Sequence, residues 1–317
     1  MNPLAGNLAY LKQVENRLHA AKVRGARYEA ESIVRHYGHM DRLDLFTGRK
    51  SLTPGAKLAV ERAMRWRLRQ GRPLQYILRE AGFCGETLFV TPGALIPRPE
   101  TELLVEEADR LIGQMLGPRP ERVGSASSGT RWRSANVSPK TSSGRGPLSV
   151  LDLGTGSGCI ALALTIRRPE CKMTALDVSA AALAVARKNL KNKGLQKKVR
   201  LVRGDLFKPF KGKRAVWDLI VSNPPYIPRD EIRSLSREVL AEPRVALDGG
   251  RKGLEIIRRI LTQAPGHLNS GGFLLMEIGK GQSRVLARET SGSGEWKSAR
   301  FVKDLSGIAR ILVLEKK

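Results

Sequence analysis

Val150-Leu151-Asp152-Leu153-Gly154-Thr155-Gly156-Ser157-Gly158 reads as a buried strand, a glycine-rich turn and the start of a helix. Glycines let a backbone approach a ligand closely, and open α/β sheets bind ligands at the carboxyl ends of their strands. A G-x-G pattern alone is weak. Its surroundings strengthen it, because Asp177 closes the next strand 19 residues after Gly158, where a carboxylate can accept from both hydroxyls of a ribose. The G-x-G-x-G spacing lacks the last offset of the dinucleotide pattern. Asp205 ends a third strand; in Asp205-Leu206-Phe207 the carboxylate suits the amino edge of an adenine and Leu206 its face, while Asp205 reads equally as a helix cap. Gly154, Thr155, Gly156, Ser157, Gly158, Asp177, Asp205 and Leu206 are therefore the candidate nucleoside site.

Outward from this stretch, strands and helices alternate. The pattern predicts strands at 148–153, 172–177, 198–203, 216–222 and 273–278, and a final pair at 296–303 and 308–315 joined by Asp304-Leu305-Ser306-Gly307. Helices are expected near 157–167, 179–193, 229–240, 253–264 and 282–290. Such alternation gives an α/β fold with a doubly wound, Rossmann-like parallel sheet, to which the terminal hairpin adds an antiparallel strand at one edge.

The fourth strand ends in Ser222-Asn223-Pro224-Pro225-Tyr226. Consecutive prolines fix φ and bring no N–H, so the carbonyls here face few local donors. The Asn223 side chain adds another carbonyl acceptor and Tyr226 a flat face. Two acceptors and a ring can grip a planar, conjugated –NH2 group, whose nitrogen is a poor nucleophile until it is aligned with an electrophile. Asn223, Pro224, Pro225 and Tyr226 are the candidate catalytic residues. A nucleoside-bearing electrophile beside an –NH2 clamp points to methyl transfer from S-adenosyl-L-methionine.

Upstream, residues 8–78 carry a helical pattern: Leu11, Val14, Leu18 and Ala21 recur at three- and four-residue steps, Thr53-Pro54 starts a helix and Gly71 stops it. Gln75-Tyr76-Ile77 and Glu86-Thr87-Leu88-Phe89-Val90 read as short strands with a turn at Gly82 and Gly85, and a helix runs from about Glu100 to Leu116. Residues 117–147 hold Ser, Gly, Pro and Arg with six basic residues and one acid, the composition of a flexible spacer. The expected organisation is a helical domain at 1–78, a hairpin and connecting helix at 79–116, the insertion at 117–147 and a catalytic domain at 148–317.

Composition bounds the rest. No apolar run approaches the roughly 18 residues of a membrane span. No signal peptide is expected, since Met1 to Ala20 lacks a continuous apolar core, and no transit peptide, since Glu15, Glu29 and Glu31 interrupt the early basic residues. Cys84, Cys159 and Cys171 have no metal or disulfide spacing, so no metal is expected and the cytoplasm is the expected compartment. A formal net charge of +26 favours polyanions, and the run from Arg187 to Arg214 holds Asp205 as its single acid. Charge speaks to partners, ribosome or RNA proximity among them, and not to the reaction.

Several segments together resemble one family, the protein-(glutamine N5) methyltransferases that modify peptide chain release factors. The resemblance rests on Arg72-Pro73-Leu74-Gln75-Tyr76-Ile77, on Leu95-Ile96-Pro97-Arg98-Pro99-Glu100-Thr101-Glu102, and on Asp152 to Gly158. It continues through Asn223-Pro224-Pro225-Tyr226-Ile227, Glu242-Pro243 and Leu247-Asp248-Gly249-Gly250-Arg251-Lys252-Gly253-Leu254, and covers nearly the whole chain except 117–147, where the family usually has a short link. It implies a class I S-adenosylmethionine-dependent methyltransferase fold behind a small helical domain that recognises the release factor. It implies that Gly154 to Gly158, Asp177, Leu206 and Asn223 contact the cofactor, and that Asn223 to Tyr226 hold the glutamine of a Gly-Gly-Gln loop. The expected assembly is a monomer. Two rivals remain: an adenine-N6 methyltransferase of RNA or DNA, which shares Asn-Pro-Pro-Tyr, and a non-catalytic RNA- or ribosome-binding protein that keeps the fold. If Glu100 and Glu102 pack beside the fourth strand, their carboxylates stand at the site's entrance and repel phosphates.

Overall fold

A computed structural model describes residues 3–117, 146–212 and 216–317. The insertion expected at 117–147 falls almost wholly outside the described residues, as do Lys213 and Arg214 of the basic run.

Five helices come first: α1 (Pro3–Ala20), α2 (Ala26–Gly38), α3 (Arg42–Thr47), α4 (Pro54–Gln70) and α5 (Leu74–Leu78). The start of α4 is set by its cap, with the Thr53 side chain accepting from the Ala56 amide and Pro54 at the first helical position. A cap of this kind stabilises a helix by about 1 kcal/mol. Gly71 ends it at φ 64°, a conformation that glycine adopts without a Cβ penalty. Val14, Leu18, Ile33, Val34, Leu45 and Met64 form a core private to these helices.

Residues 75–77, expected as a strand, are the middle of α5. Pro73 opens the turn, and Tyr76 is buried with its hydroxyl donating to the Ala94 carbonyl at 2.7 Å. Three apolar residues are too few to show a period, and tertiary contact decided between helix and strand. The hairpin that follows is β1 (Glu80–Phe83) and β2 (Glu86–Phe89). Its two-residue turn is Cys84-Gly85, both at positive φ (50° and 78°), as a right-twisted hairpin requires. Helix α6 (Pro99–Leu116) then crosses to the main sheet.

That sheet is built from β3 (Ser149–Leu153), β4 (Lys172–Asp177), β5 (Val199–Arg203), β6 (Trp217–Ser222), β7 (Leu268–Glu277), β8 (Trp296–Lys303) and β9 (Ala309–Lys316). Helices α7 (Cys159–Arg167), α8 (Ala180–Asn192), α9 (Arg237–Leu240), α10 (Glu255–Gln263) and α11 (Ser283–Ser291) lie between them. The strand order is β5-β4-β3-β6-β7-β9-β8, with the first five parallel and β9 antiparallel to both its neighbours. The reversed strand is thus one place in from the edge, because β9 inserts between β7 and β8. Alternate side chains of β3 point to opposite faces. Val150 joins the core under α6, α7 and α8, and Leu151 and Leu153 join the core under α10 and α11. Both faces are covered, which is why these strands read as continuous apolar runs.

Two further expected elements differ. The helix expected at 229–240 is a 3₁₀ stretch, Arg229–Ser234, followed by the single turn α9. The Ser236 side chain caps that turn, so the chain restarts rather than continuing. Strand β7 begins at Leu268, five residues before the expected 273, with a register shift against β6 across Asn269-Ser270-Gly271-Gly272. Those residues have loop chemistry, and only pairing with Trp217 makes them part of the strand.

The helical region is tied to the sheet domain by charge. Arg67, 7% exposed, donates to both carboxylate oxygens of Glu29 (2.6 and 2.9 Å) and to Glu238 of α9 at 2.9 Å.

Candidate active site

Going from β5 to β6 the chain passes β3, so the strand order reverses between β3 and β6. Ligands of open α/β sheets bind beside such a reversal, at the carboxyl ends of the strands. A cleft of about 300 Å³ lies there, and every one of the predicted nucleoside residues lines it: Gly154, Thr155, Gly156, Ser157, Asp177, Asp205 and Leu206, with the exception of Gly158. Gly158 instead begins α7 at φ 80° with Ala186 packed against its Cα side, 3.0 Å from where a Cβ would stand. Its role is close helix packing. Gly154 and Gly156, at φ 80° and 56°, meet nothing within 4 Å of an added Cβ, so the loop's backbone is bare toward the cleft.

Asp177 ends β4 and is buried. One carboxylate oxygen accepts from the Gly156 amide and the other from the Ser179 amide, each at 2.8 Å. Each oxygen keeps a lone pair for a further donor. Burial pushes its carboxyl up, opposed by these amides. Asp152, fully buried beneath the loop, accepts on Oδ2 from the Thr155 hydroxyl (2.6 Å) and the Ala161 amide (3.1 Å), while Oδ1 has no partner among the described residues. Burial pushes its carboxyl up to about 7. Leu206 stands at φ 47°, a strained conformation for a side chain of this size, and strain of that kind gathers at ligand sites. The Asp205 carboxylate is taken by Arg259 (2.8 Å to both oxygens) and Lys208 (2.8 Å), which hold it below the usual carboxylate range. Two adjacent lone pairs, a bare glycine loop and an apolar wall that includes Ala182, Ile256 and Ile260 fit a nucleoside carrying a short charged chain.

The second half of the cleft is the end of β6. The Ser222 hydroxyl donates to the Leu153 carbonyl at 2.6 Å and pins the end of β6 to that of β3. The Asn223 amide nitrogen donates to Thr101 Oγ1 at 2.9 Å, which turns its Oδ1 away from α6. Among the described residues neither Asn223 Oδ1 nor the Pro224 carbonyl accepts a hydrogen bond. The next two carbonyls are packed away. Pro225 O lies 2.7 Å from where a Cβ on Gly249 would be, and Tyr226 O 2.1 Å from one on Gly253. The Gln282 side chain also donates to Tyr226 O at 3.1 Å. A side chain at Gly249 or Gly253 would push this turn out of place. Two free acceptors at the cleft wall, with the next two carbonyls packed against Gly249 and Gly253, make a site for an –NH2 donor.

Asn223, Pro224 and Pro225 line the cleft. Tyr226 stands behind them, its hydroxyl donating to Glu277 Oε1 at 3.1 Å and its ring packed on the core beneath α10. The opposite wall is Leu95, Pro97, Arg98 and Thr101. It is held in place by the buried Glu242, which accepts from the Ile96 amide at 3.0 Å and pairs with Arg98. The expectation for Glu100 and Glu102 is corrected. Helix α6 does pack beside β6, but the Glu102 carboxylate accepts from the Cys84 amide at 2.8 Å, and neither acid lines the cleft. The left-handed Cys84 aims its N–H at that carboxylate, a contact no sequence period announces. Thr101, Glu242 and Glu277 are the functional-site residues that pattern reading missed. The only local signal was a buried-strand acid, Glu277, with no basic neighbour in sequence.

Comparison with known proteins covers both parts of the chain. Residues 9–78 match the family described as PrmC N-terminal domain, and residues 140–252 the family described as Methyltransferase small domain. The release factor glutamine methyltransferase of Geobacter sulfurreducens is 37% identical over 92% of this chain and 89% of its own length. That of Nitratidesulfovibrio vulgaris is 35% identical over 98% and 97%, and that of Chlorobaculum tepidum 40% over 81% and 80%. Among solved structures, the hMettl16 catalytic domain in complex with MAT2A 3'UTR hairpin 1 superposes with a TM-score of 0.51 over 90% of this chain and 89% of that one. At 14% identity this is a likeness of fold alone.

Proposed function

The chain belongs to the release factor glutamine methyltransferases, and from that premise we propose that its cleft methylates the side-chain amide nitrogen (N5) of the glutamine in the Gly-Gly-Gln loop of a peptide chain release factor. The methyl donor is S-adenosyl-L-methionine. The observation that carries the assignment to this site is the pair of free acceptors, Asn223 Oδ1 and Pro224 O, beside the bare Gly154–Gly156 loop and Asp177.

When bound, the sulfonium supplies an electrophilic methyl group that brings its own leaving group. The protein's work is then alignment. Asp177 accepts from the ribose hydroxyls, the glycine loop admits the charged chain, and Leu206 covers the base. Asn223 Oδ1 and Pro224 O take the two amide hydrogens of the substrate glutamine. With both hydrogens held, the nitrogen's face is turned toward the methyl group. As the N–CH3 bond forms and the S–CH3 bond breaks, one of the two hydrogens is lost as a proton to solvent. The rate gain comes from orientation and exclusion of water. Tyr226 supports the turn from behind. The helices α1–α5 recognise the body of the release factor, and the ion pairs of Arg67 fix their distance from the cleft.

All these groups come from one chain, so a monomer suffices. Among the described residues no helix is long and apolar enough to cross a membrane. Exposed basic side chains on α8 (Arg187, Lys191), on β5 (Arg200, Arg203) and in the turn before it (Lys198) suit proximity to ribosomal RNA.

The function is tested with labelled cofactor and three acceptors: a release factor, its Gly-Gly-Gln Gln→Ala variant, and total RNA. Label is expected in the first alone. Label in RNA, or label that survives the Gln→Ala change, sinks the reading. The ribose assignment has its own test. Asp177→Ala is expected to weaken cofactor affinity by about tenfold to a hundredfold, the loss of a charged acceptor. Turnover at saturating cofactor should stay near that of the parent, since the interaction is the same in ground and transition states. Calorimetry and a cofactor titration of the rate decide it; a rate that saturating cofactor does not restore refutes the ribose role.

A further inference from the structure

Asn223 is useful as an acceptor only with one orientation of its amide. Rotated by half a turn, it would present Nδ2 to the substrate –NH2, donor against donor. Nothing in the Asn-Pro-Pro-Tyr turn itself chooses between the two.

The choice is made one and two contacts away. Asn223 Nδ2 donates to Thr101 Oγ1 (2.9 Å), and Thr101 Oγ1 donates to Glu277 Oε2 (2.7 Å). The other oxygen of Glu277 takes the Tyr226 hydroxyl (3.1 Å). Glu277 is 1% exposed and Thr101 2%. An ionised carboxylate only accepts, so both hydroxyls must spend their protons on it. Thr101 Oγ1 is then left as an acceptor, and the group it faces must be the amide nitrogen. Among the described residues no Lys, Arg or His forms an ion pair with Glu277, and burial raises its carboxyl. A buried acid held by two hydroxyls alone is costly to the fold, and a neutral side chain would pack there more cheaply.

We propose that Thr101 and Glu277 are positioning residues that set the polarity of the Asn223 amide, so that its carbonyl faces the glutamine. The carboxylate at the end of β7 fixes the hydroxyl of α6, and the hydroxyl fixes the amide at the end of β6. The inference rests on the reading that Asn223 holds the substrate nitrogen, and it deepens that reading. It also gives a physical task to Thr101, the one residue of Pro99-Glu100-Thr101-Glu102 that lines the cleft.

Four variants test it: Thr101→Val, Thr101→Ser, Glu277→Gln and the Thr101→Val/Glu277→Gln pair, each assayed for kcat, cofactor Kd and melting temperature beside Asn223→Ala. Thr101→Val and Glu277→Gln are expected to lower kcat about ten- to a hundredfold, the scale of a reacting group misplaced by an ångström. Cofactor Kd should change less than about threefold. Thr101→Ser keeps the hydroxyl and is expected to stay within about threefold of the parent. Because Glu277 acts through Thr101, the double variant should be no slower than the slower single one. Multiplied losses in the double variant, or a serine variant as slow as the valine one, would mean packing rather than polarity and overturn the proposal. So would near-parental kcat in both single variants while Asn223→Ala is inactive. Retained activity in Asn223→Ala instead overturns the underlying reading of the clamp. Glu277→Gln is isosteric and keeps the test open if Thr101→Val folds poorly.

Discussion

Asn223→Ala lowers methyl transfer by about 10²–10³, the usual cost of removing one positioned polar group from a reacting centre, and leaves cofactor binding in place. The argument runs from the end of β6. The amide oxygen and the Pro224 carbonyl are the two acceptors left open at the cleft wall, and the following carbonyls are blocked by Gly249, Gly253 and Gln282. With alanine, one substrate hydrogen has no partner, and the acceptor nitrogen rotates away from the methyl group. The cofactor contacts proposed for Gly154, Gly156 and Asp177 would come from the ends of β3 and β4 and do not pass through Asn223. Calorimetry with S-adenosylmethionine and a single-turnover assay on the same preparation separate the two effects. Turnover within tenfold of the parent places the clamp elsewhere; a cofactor affinity lost together with turnover assigns Asn223 to binding instead.

Arg67→Met destabilises the protein by about 3–5 kcal/mol, the cost of breaking a buried ion pair from one side. Methionine fills much of the space, so the loss is chiefly electrostatic. Glu29, 8% exposed, is left buried with no guanidinium to meet its two oxygens. The second arm, to Glu238, matters less. Glu238 is 42% exposed on its side chain, and an exposed partner of that kind contributes under about 1 kcal/mol. Glu238→Ala should therefore be mild where Arg67→Met is severe, and Glu29→Gln added to Arg67→Met should recover part of the loss. Urea midpoints at neutral pH measure all three. Equal midpoints for parent and Arg67→Met would show the pair to be energetically idle. Turnover gives a second readout, since Glu238 lies in α9, just before Pro243, Val245 and Ala246 at the cleft rim.

Much of this molecule was legible in its sequence because the information is local. The apolar runs of the strands, the glycine turn after Leu153 and the acid at Asp177 each report burial or a backbone conformation within a few residues. Strand β4 runs from Lys172 to Asp177, as read. The prolines after Asn223 declare a stiff, donor-poor turn by their own covalent structure. Short apolar runs were ambiguous for the same reason. Gln75-Tyr76-Ile77 carries no period, and burial of Tyr76 against Ala94 made it a helix.

Which groups meet across the sheet had no local trace. Thr101 meets Asn223 across 122 positions and Glu277 across 176, and Glu242 reaches back 146 positions to the Ile96 amide. These contacts depend on the strand order, which brings the ends of β6 and β7 side by side under the start of α6. Glu102, one residue past Thr101, points instead to the Cys84 amide, because on a helix neighbours in sequence face about 100° apart. The sequence alone determined a glycine-rich turn and a stiff Asn-Pro-Pro-Tyr turn at strand ends of a doubly wound sheet. The orientation of the clamp was decided by tertiary structure, because a hydrogen-bond chain takes its direction from the buried carboxylate at its far end, and only the fold places that carboxylate there.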